Sequence, residues 1–495
     1  MKRITIDPLT RVEGQGRVEI LLDDRGDVED AVLIVPELRG FESLCIGRPA
    51  EEMPRLTSRI CGLCPEAHLM ASVKALDALY QVKIPETARR LRELFYSTFI
   101  VLDHATHFYV LAGPDLFVGP DARPEERTFF GVIRALGNDV GKRVIDARTR
   151  NLGVIERLGG RSVHPVAAVP GGWSRTIDEG ARAEIEAAAR ANVAFARDTL
   201  ELFERVVVAK PEMLDLMGSE SFAEPTYSMS TVDAGGSLSF YDGRLRVVAP
   251  DGHQHASFAA RDYALFIGEH VEPWTYVTFP YLLDPGWMGL TVGAGSGVYL
   301  ASPLGRLNAA ESLPTPLAQS AAESMFAALG GPGPDRPRRP IHNRMATHWA
   351  RLVEMLCAAE RMLELAADPR VCGGDVRAEL GAVTGEGVGS VEAPRGTLIH
   401  HYWTDERGII TKVNLIVGTT NNHAAMAISV KRAARALISR GTVASDPLLA
   451  RLEMIVRAYD PCLSCAAHAF PGGAPLAVHL RDRAGRLLRV VSRER

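Results

Sequence analysis

Hydrophobic and polar residues alternate with a period of two near the start of the chain. The alternation runs through RITID (3–7) and GRVEILLDDRGDVEDAVLIV (16–35), where Asp24, Arg25 and Gly26 interrupt it. Alternation bounded by turn-forming residues predicts β-strands joined by a hairpin. The N-terminal segment is therefore predicted to form a small sheet.

From residue 54 onward, apolar residues recur at spacings of three and four, which predicts amphipathic helices. The clearest helical segments are 86–112, 179–208, 348–368 and 422–441. Asp-Gly and Glu-Arg-Gly turns predict two further hairpins, in SLSFYDGRLRVVA (237–249) and GTLIHHYWTDERGIITKVNLIVG (396–418). The predicted fold class is mainly α (α+β), with a central helical bundle and small peripheral β-sheets.

The composition is that of a globular protein, with 495 residues, 46% hydrophobic and 23% charged. No apolar run approaches the roughly 20 residues of a membrane-spanning helix, and the start MKRITIDPLTRVEG lacks an apolar signal region. A net charge of −4, without Lys/Arg runs interleaved with aromatic residues, excludes nucleic acid as a partner. We therefore predict a cytoplasmic protein with no direct membrane insertion.

Four of the seven cysteines form two CxxC pairs near opposite ends of the chain. Cys61 and Cys64 lie in RICGLCPEAH, and Cys462 and Cys465 lie in YDPCLSCAAHAFPGG. So few cysteines, odd in number, argue against a disulfide framework. Four converging thiolates form a soft site suited to Zn, Ni, Cu(I) or iron. The remaining cysteines are predicted to be small buried apolar residues: Cys45, Cys357 and Cys372.

Two interpretations of the paired motifs are open from spacing alone. A structural Zn(Cys)4 site is the commonest use of paired CxxC motifs. Structural zinc pairs usually lie tens of residues apart, because they stabilise a small unit that lacks its own core. Here about 400 residues separate the pairs, Arg59 and Asp460 precede them, and a histidine follows each. This context favours a site placed for chemistry.

The two motifs, RxCGxC and DPCxxCxxH, resemble those of the large subunit of [NiFe]-hydrogenases. The similarity extends over nearly the whole chain, through DPLTRVEGQGRVEI, LRGFE, HFYVLAGPDLFVG, VPGG, PTPLAQ, EAPRGTLIHHY and LIVGTTNNHAAM. It is greatest to cytoplasmic, cofactor-coupled hydrogenases, the NAD-reducing and heterodisulfide-reductase-linked types. The resemblance implies the [NiFe]-hydrogenase large-subunit fold and a site in which four cysteines hold nickel.

In that family two of the cysteines also bridge to an iron that carries carbon monoxide and cyanide ligands. The resemblance implies that Cys61 and Cys462 are terminal nickel ligands and that Cys64 and Cys465 are bridging ligands. The soft ligand set agrees with these metals, whereas the diatomic ligands rest on the resemblance alone.

The resemblance also assigns residues around the cluster. Arg395 would place its guanidinium over the metals, where a rigid planar cation suits anionic ligands. Asp103 and Asp460 would frame the same cavity, and His68 would donate a hydrogen bond to a bridging thiolate. Two residues would surround the cyanides: Pro394 and Thr419.

Glu13 matches a glutamate that takes protons from a nickel-bound cysteine, and burial near thiolates should raise its pKa. The family often has histidine where this chain has Gln15, which affects only a local hydrogen bond. A second metal, usually magnesium in relatives, would be held by Glu42, the backbone carbonyl of Leu415 and His468. One imidazole is unusual for magnesium and leaves the metal's identity open.

Without the resemblance, several of these residues have ordinary structural interpretations. These are a core or surface histidine for His68, a solvated arginine for Arg395, turn residues for Thr419 and Asp460, an ion pair for Asp103 and a solvated carboxylate for Glu42. The resemblance selects the functional interpretation.

The implied activity is reversible heterolytic cleavage of H2 to protons and electrons. Because the chain has no further cysteine clusters for iron–sulfur relays, electrons must leave through an iron–sulfur small subunit. Further candidate partners are a flavoprotein (diaphorase) and heterodisulfide-reductase-type subunits. The alternatives are an H2-sensing subunit with low turnover and a Zn(Cys)4 protein. A complex I-like quinone subunit is disfavoured, because such relatives lack the four metal cysteines.

The residues beyond His468 differ in composition from the rest of the chain. Residues 469–495 contain six arginines against Asp482 and Glu494, a net charge of +4, so the chain ending at His468 has −8 (−4 minus +4). The resemblance implies that a maturation endopeptidase cuts between His468 and Ala469, leaving residues 1–468 as a single domain. We expect the extension to obstruct the approach of His468 to the second metal before cleavage.

Overall fold

The computed structural model describes residues 2–218, 222–329, 339–440, 442, 444–469, 477–481 and 486–492. The α-helices are α1 Phe41–Cys45, α2 Met53–Thr57, α3 Pro65–Leu79, α4 Glu86–Thr106, α5 Phe129–Leu136, α6 Asn138–Gly159, α7 Glu179–Phe203, α8 Pro211–Gly218, α9 Pro303–Ala309, α10 Pro316–Ala328, α11 Thr347–Ala367, α12 Gly418–Asn421, α13 His423–Leu437, α14 Asp446–Ala458 and α15 Leu463–Ala466. Segments of π-helix are His107–Ala112, Pro114–Val118 and Glu204–Val208. Segments of 3-10 helix are Ala50–Glu52, Ser58–Ile60, Ala260–Leu265, Arg344–Ala346 and Pro369–Cys372.

The strands form small, separate sheets. They are β1 Lys2–Ile6, β2 Arg17–Leu22, β3 Val28–Ile34, β4 Ala168–Val169, β5 Gly172–Trp173, β6 Tyr227–Val232, β7 Arg244–Val248, β8 Gln254–Phe258, β9 Ile267–His270, β10 Phe279–Leu282, β11 Tyr299–Leu300, β12 Glu386–Ala393, β13 Gly396–Thr404, β14 Ile410–Ile416, β15 Ala477–Arg481 and β16 Leu487–Ser492. The larger sheets have the orders β1-β2-β3, β11-β6-β7-β8 and β12-β13-β14, and the pairs are β4-β5, β9-β10 and β15-β16.

The predicted N-terminal sheet is confirmed. Strand β2 pairs antiparallel with both β1 and β3, with Ile20 opposite Ile4 and Ala31. Along β2, buried residues alternate with half-buried ones, as a sheet with one face on the core requires.

The four predicted helical segments are confirmed as α4, α7, α11 and α13. Helix α11 packs against both α4 and α7 and is buried along almost its whole length. A helix buried on every side must carry its polar residues into the core, where they need partners. Among the residues described, no helix is both long enough and apolar enough to cross a membrane.

The sheet β12-β13-β14 lies inside the molecule, and not at the periphery. Helix α3 packs directly on β12. Two glycines of this strand face the helix, so no side chain separates the helix from the strand. A Cβ atom on Gly389 would lie 2.3 Å from both Ala71 O and Ala75 N, and one on Gly387 would lie 2.3 Å from Ala75 O. The contact therefore requires glycine at both positions.

The predicted hairpin at 237–249 is wrong. Strand β7 pairs with the upstream strand β6 and with β8, and Ser237–Tyr241 is not its partner. Gly243 explains the difference, because its φ is 156° and a Cβ there would lie 2.2 Å from Val232 O. Asp242 and Gly243 therefore directly precede β7 and lie beside the end of β6. The hairpin predicted at 396–418 is confirmed as β13 and β14.

Candidate metal centre

The four cysteines of the CxxC pairs meet in the core. Cys64 precedes α3 and Cys462 precedes α15, so each pair lies at the start of a helix. The Sγ–Sγ distances are 3.2 Å for Cys61 and Cys462, 3.5 Å for Cys64 and Cys465, and 2.9 Å for Cys462 and Cys465. All four Sγ atoms are buried and lie within 4.8 Å of one another. The predicted convergence of the two chain ends is confirmed.

The thiols differ in how readily they ionise. Burial opposes ionisation of Cys61, but contacts with the neighbouring thiols of Cys462, Cys465 and Cys64 lower its pKa well below the ordinary value. Two backbone N–H groups, of Leu63 and Cys64, also donate to Cys61 Sγ at 3.2 and 3.1 Å. Burial raises the pKa of both Cys462 and Cys465. The two backbone donors therefore favour the thiolate form of Cys61.

Glu13 lies against the C-terminal pair. Leu463 N donates to Glu13 O at 2.9 Å, and the Cys462 thiol donates to Glu13 Oε2 at 2.8 Å. Ser464 N donates to the same carboxylate oxygen at 3.3 Å. Burial, followed by the charge of Cys61, raises the pKa of Glu13 above its ordinary value.

Arg395 forms ion pairs with Asp103 and Asp460, the two aspartates selected from the sequence. Its Nη1 lies 3.1 Å from Asp103 Oδ2, and its Nη2 lies 3.1 Å from Asp460 Oδ2. His107 Nδ1 lies 2.9 Å from Asp460 Oδ1. Burial raises the pKa of Asp103 to about 6, whereas Arg395, His107 and Arg351 outweigh burial at Asp460 and lower its pKa. The two carboxyl groups therefore differ in protonation behaviour although they share one guanidinium.

A small cavity of about 70 Å³ adjoins this group. Its lining includes Asp103, His107 and Arg395 on the inside and Leu63 and Val163 on the outside. Leu63 is 36% exposed and Val163 is 56% exposed. The cavity therefore lies between the arginine and a surface with apolar side chains.

His68 and Thr419 also lie in the core beside the cysteines. His68 Nδ1 lies 3.1 Å from His400 Nε2, and the other ring nitrogen of His68 has no hydrogen-bond partner among the residues that the structure describes. Burial lowers the pKa of His68 to about 4. Thr419 Oγ1 accepts a hydrogen bond from Cys462 N at 2.9 Å, and its own proton remains available for donation. Pro394 lies next to Arg395, and its carbonyl accepts hydrogen bonds from Arg306 and Arg351.

A second group of ligand atoms surrounds His468. Its Nδ1 lies 2.8 Å from Cys465 O, and if the proton of the neutral ring is on Nδ1, Nε2 carries a lone pair. That Nε2 lies 2.6 Å from Leu415 O and 3.7 Å from a Glu42 oxygen. Burial lowers the pKa of His468, which disfavours an imidazolium that could donate to both oxygens. Three electron-pair donors facing one point fit a bound cation.

The expectation that the extension obstructs the approach of His468 to a second metal stays a prediction. The imidazole is fully buried beside Leu415 and Glu42 while the chain continues beyond it. Ala469 is also buried, and residues 470–476 lie outside the described part of the chain.

Known proteins match this chain over almost its whole length. The family model described as nickel-dependent hydrogenase matches residues 39–120 and 316–468, and a model described as HoxL-like matches residues 3–38. An F420-non-reducing hydrogenase iron-sulfur subunit from Archaeoglobus profundus is 46% identical over 491 residues, which cover 99% of each chain. This chain belongs to the nickel-dependent hydrogenase family.

Other hydrogenase chains agree with this assignment. The NAD-reducing hydrogenase HoxS subunit beta of Cupriavidus necator is 38% identical over 507 residues, covering 98% of this chain and 99% of that one. A crystal structure of an NAD+-reducing [NiFe]-hydrogenase in the H2-reduced state superposes with a TM-score of 0.87 at 37% identity, covering 94% of this chain and 100% of that chain. The chain is a [NiFe]-hydrogenase large subunit, an oxidoreductase that acts on hydrogen, and its fold is the one predicted.

The hydrogenase site contains further residues that the sequence interpretation missed. Glu269 is half-buried, its carboxylate interacts electrostatically with His468 and Glu42, and it accepts a hydrogen bond from Thr278 Oγ1 at 2.8 Å. His400 contacts His68, as described above. Neither residue lies in a motif with recognisable ligand spacing, and the contacts form only when distant strands come together.

Proposed function

We propose that this hydrogenase subunit cleaves H2 heterolytically and reversibly at a nickel–iron centre held by its four paired cysteines. The observation that carries the proposal is the convergence of four buried Sγ atoms within 4.8 Å. Cys61 and Cys462 would be terminal nickel ligands, and Cys64 and Cys465 would hold both the nickel and an iron with carbon monoxide and cyanide ligands. When bound, such a centre supplies Lewis acidity and electron transfer.

Glu13 takes the proton released near Cys462. Its carboxylate is within hydrogen-bond reach of the Cys462 sulfur, at 2.8 Å, which is the first requirement for a general base. Its raised pKa favours uptake of a proton over permanent ionisation. Glu13 is only partly buried, which allows the proton to be passed onward to the outside.

Arg395 supplies the positive charge that balances the anionic ligands, and Asp103 and Asp460 orient it. Its guanidinium is electrostatically coupled to the sulfurs of Cys462 and Cys64, which supports a position over the cluster. Three further residues would lie beside the same ligands: Pro394 and Thr419 at the cyanides, and His68 at a bridging sulfur.

The second cation is magnesium, held by Glu42, the Leu415 carbonyl and His468. Oxygen ligands suit magnesium, and His468 Nε2, the Leu415 carbonyl oxygen and a Glu42 oxygen lie close together in the core, which supports a shared cation. This cation ties the C-terminal cysteine pair to β14 and to the start of α1.

An iron–sulfur small subunit binds near Cys61 and Cys64 and receives the electrons. Leu63 lies between these two cysteines and is 36% exposed, while Val163 and Val166 are 56% and 44% exposed. Exposed apolar residues this close to the buried thiols favour a docked protein at this face. Beyond it we propose a flavoprotein (diaphorase) or heterodisulfide-reductase-type subunit, in a cytoplasmic complex.

A maturation endopeptidase removes residues 469–495. The match to the family model ends at residue 468, which supports a boundary after His468. The buried position of His468 argues against access of the imidazole to its site as the reason for cleavage. Intact-mass measurement of the active complex is expected to give a chain ending at His468, and a fully active chain that retains Arg495 contradicts this.

The decisive experiment combines metal analysis with turnover. The complex, produced with its maturation proteins, is expected to contain nickel together with more than one iron per nickel, because the iron–sulfur subunit adds its own iron, and to reduce an artificial dye with H2. Cys465→Ser should abolish both nickel binding and dye reduction, while Cys357→Ser, a buried cysteine outside the site, should preserve both. Zinc without nickel contradicts the proposed centre. Nickel with negligible turnover favours an H2 sensor.

A further inference from the structure

Arg351 lies on α11, behind the carboxylates that hold Arg395, and the chemistry above does not use it. Its side chain is fully buried, and its Nη1 lies 3.2 Å from Asp460 Oδ2. Arg395 Nη2 lies 3.1 Å from the same oxygen. Asp460 is therefore held between two guanidinium groups, one beside the thiols and one inside the helical core.

The same nitrogen of Arg351 also fixes the backbone beside Arg395. It donates to Pro394 O at 3.1 Å. Arg306 donates to Ala393 O at 2.8 Å and to Pro394 O at 3.3 Å. Because Pro394 immediately precedes Arg395, these bonds determine where the Arg395 side chain begins.

A single consistent set of donors and acceptors holds Arg351 itself. A guanidinium only donates, so Arg351 Nη1 donates to His104 Nδ1 at 3.1 Å. The proton of the neutral His104 ring is then on Nε2, which donates to Glu354 Oε2 at 3.2 Å. Arg306 donates to both oxygens of Glu354, at 2.7 and 2.6 Å. Both protons of Arg351 Nη1 go to His104 Nδ1 and Pro394 O, so its contact with Asp460 Oδ2 is an ion pair whose position these two hydrogen bonds set.

We propose that Arg351 is a positioning residue for the hydrogen reaction, which holds Asp460 and the Pro394 carbonyl through one nitrogen and thereby fixes the Arg395 guanidinium relative to the four thiols. The proposal deepens the proposed function, because it rests on the role of Arg395 there. A displacement of about 1 Å in a group of this kind can lower turnover by about a hundredfold. Loss of Arg351 should therefore act on turnover without touching the metal ligands.

The test uses the complete complex with Arg351→Met, and Arg92→Met as the matched control. Arg92 is equally buried and paired with Asp77, but its backbone contacts are to Gly172 and Val169. We expect R351M to retain nickel and to lose at least about tenfold in kcat per nickel. The infrared bands of the carbon monoxide and cyanide ligands should move, and a crystal structure should show the Arg395–Asp460 contact longer than 3.1 Å. R92M should lower the melting temperature but leave the bands and kcat per nickel unchanged.

Arg351→Lys keeps the proposal testable if R351M does not assemble. All polar contacts of Arg351 described above use Nη1, and the shorter lysine cannot reach Asp460 and Pro394 together. We expect a loss of about threefold in kcat per nickel and a smaller displacement of the bands in the same direction. Wild-type kcat and unmoved bands in R351K, or equal band displacement in R92M, overturn the proposal. A wild-type complex that lacks H2 turnover or these infrared bands overturns the proposed function instead. In that case the Arg395–Asp460 distance in a crystal structure of the Arg351 variant still decides the role of Arg351.

Discussion

Glu13 contacts the C-terminal cysteine pair with both its backbone and its side chain. The backbone bond to Leu463 fixes the distance between the N-terminal segment and α15, and the carboxylate then meets the Cys462 sulfur. Removal of the carboxylate charge should therefore leave the structure intact and affect only proton transfer. This separation makes Glu13 a suitable residue for testing the proposed relay.

Glu13→Gln is expected to lower kcat by about a hundredfold or more, the usual contribution of a general base. Nickel content should not change, because glutamine preserves the backbone bond and the side-chain volume. The matched control is Glu19→Gln on β2, whose partners are Arg3 and Arg17 at the surface. H2-dependent dye reduction per nickel is the measurement. Equal activity of E13Q and E19Q would remove Glu13 from the proton path.

At the scale of elements, helix α3 couples the inner sheet to the metal centre. The helix starts directly after Cys64 and rests on β12 at Gly387 and Gly389 without intervening side chains. A side chain added at either glycine would therefore push α3 away from β12. This would displace the N-terminal cysteine pair relative to Cys462 and Cys465, which belong to a different element.

Gly389→Ala is expected to destabilise the chain by about 1–3 kcal/mol, the usual cost of overpacking a core. The added Cβ would meet backbone atoms of α3 at 2.3 Å, and backbone cannot yield as a flexible side chain can. We expect less nickel per chain, measured by elemental analysis, together with a lower melting temperature. Gly153→Ala on α6 has open space around the new atom and should preserve nickel content. Full nickel content in G389A would show that α3 does not set the position of the cysteines.

At the scale of the whole molecule, buried neutral histidines link stability to pH. Burial lowers the pKa of His107 and His423 to about 4 and of His104 to about 3. Their pKa in the unfolded chain is near 6.5, so between these values the unfolded state binds more protons than the folded one. Stability therefore falls as pH decreases below about 6.5.

His423→Gln isolates one such contribution away from the cysteines. His423 stacks on Phe279 with ring centroids 4.2 Å apart and contacts Thr278 O. Between pH 7.5 and 5.5 the wild type should lose about 1 kcal/mol more unfolding free energy than H423Q, because the variant lacks this titration. Urea unfolding at the two pH values measures the difference. His253→Gln, at a side chain 87% exposed, should behave as wild type.

Prediction from the sequence succeeded where a structural feature is determined by residues close together in the chain. Strands β1 to β3 and helices α4, α7, α11 and α13 follow from periodicity, and the cysteines and Arg395 follow from motifs. The hairpin at 237–249 failed because β7 pairs with β6, a strand that ends before residue 237, and the alternation within 237–249 does not reveal that choice. Arg351 and Glu354 lie on a helix that is buried on all sides, so periodicity could not separate functional from structural positions.

The separation of Cys61 and Cys462 by 401 positions has a consequence for the timing of synthesis. At about 5–20 residues per second, a ribosome needs roughly 20–80 s to make the intervening chain. Throughout that interval Cys61 and Cys64 are outside the ribosome without the other half of their site. Metal loading must therefore follow translation, and a factor that holds the early pair reduced would act during this interval.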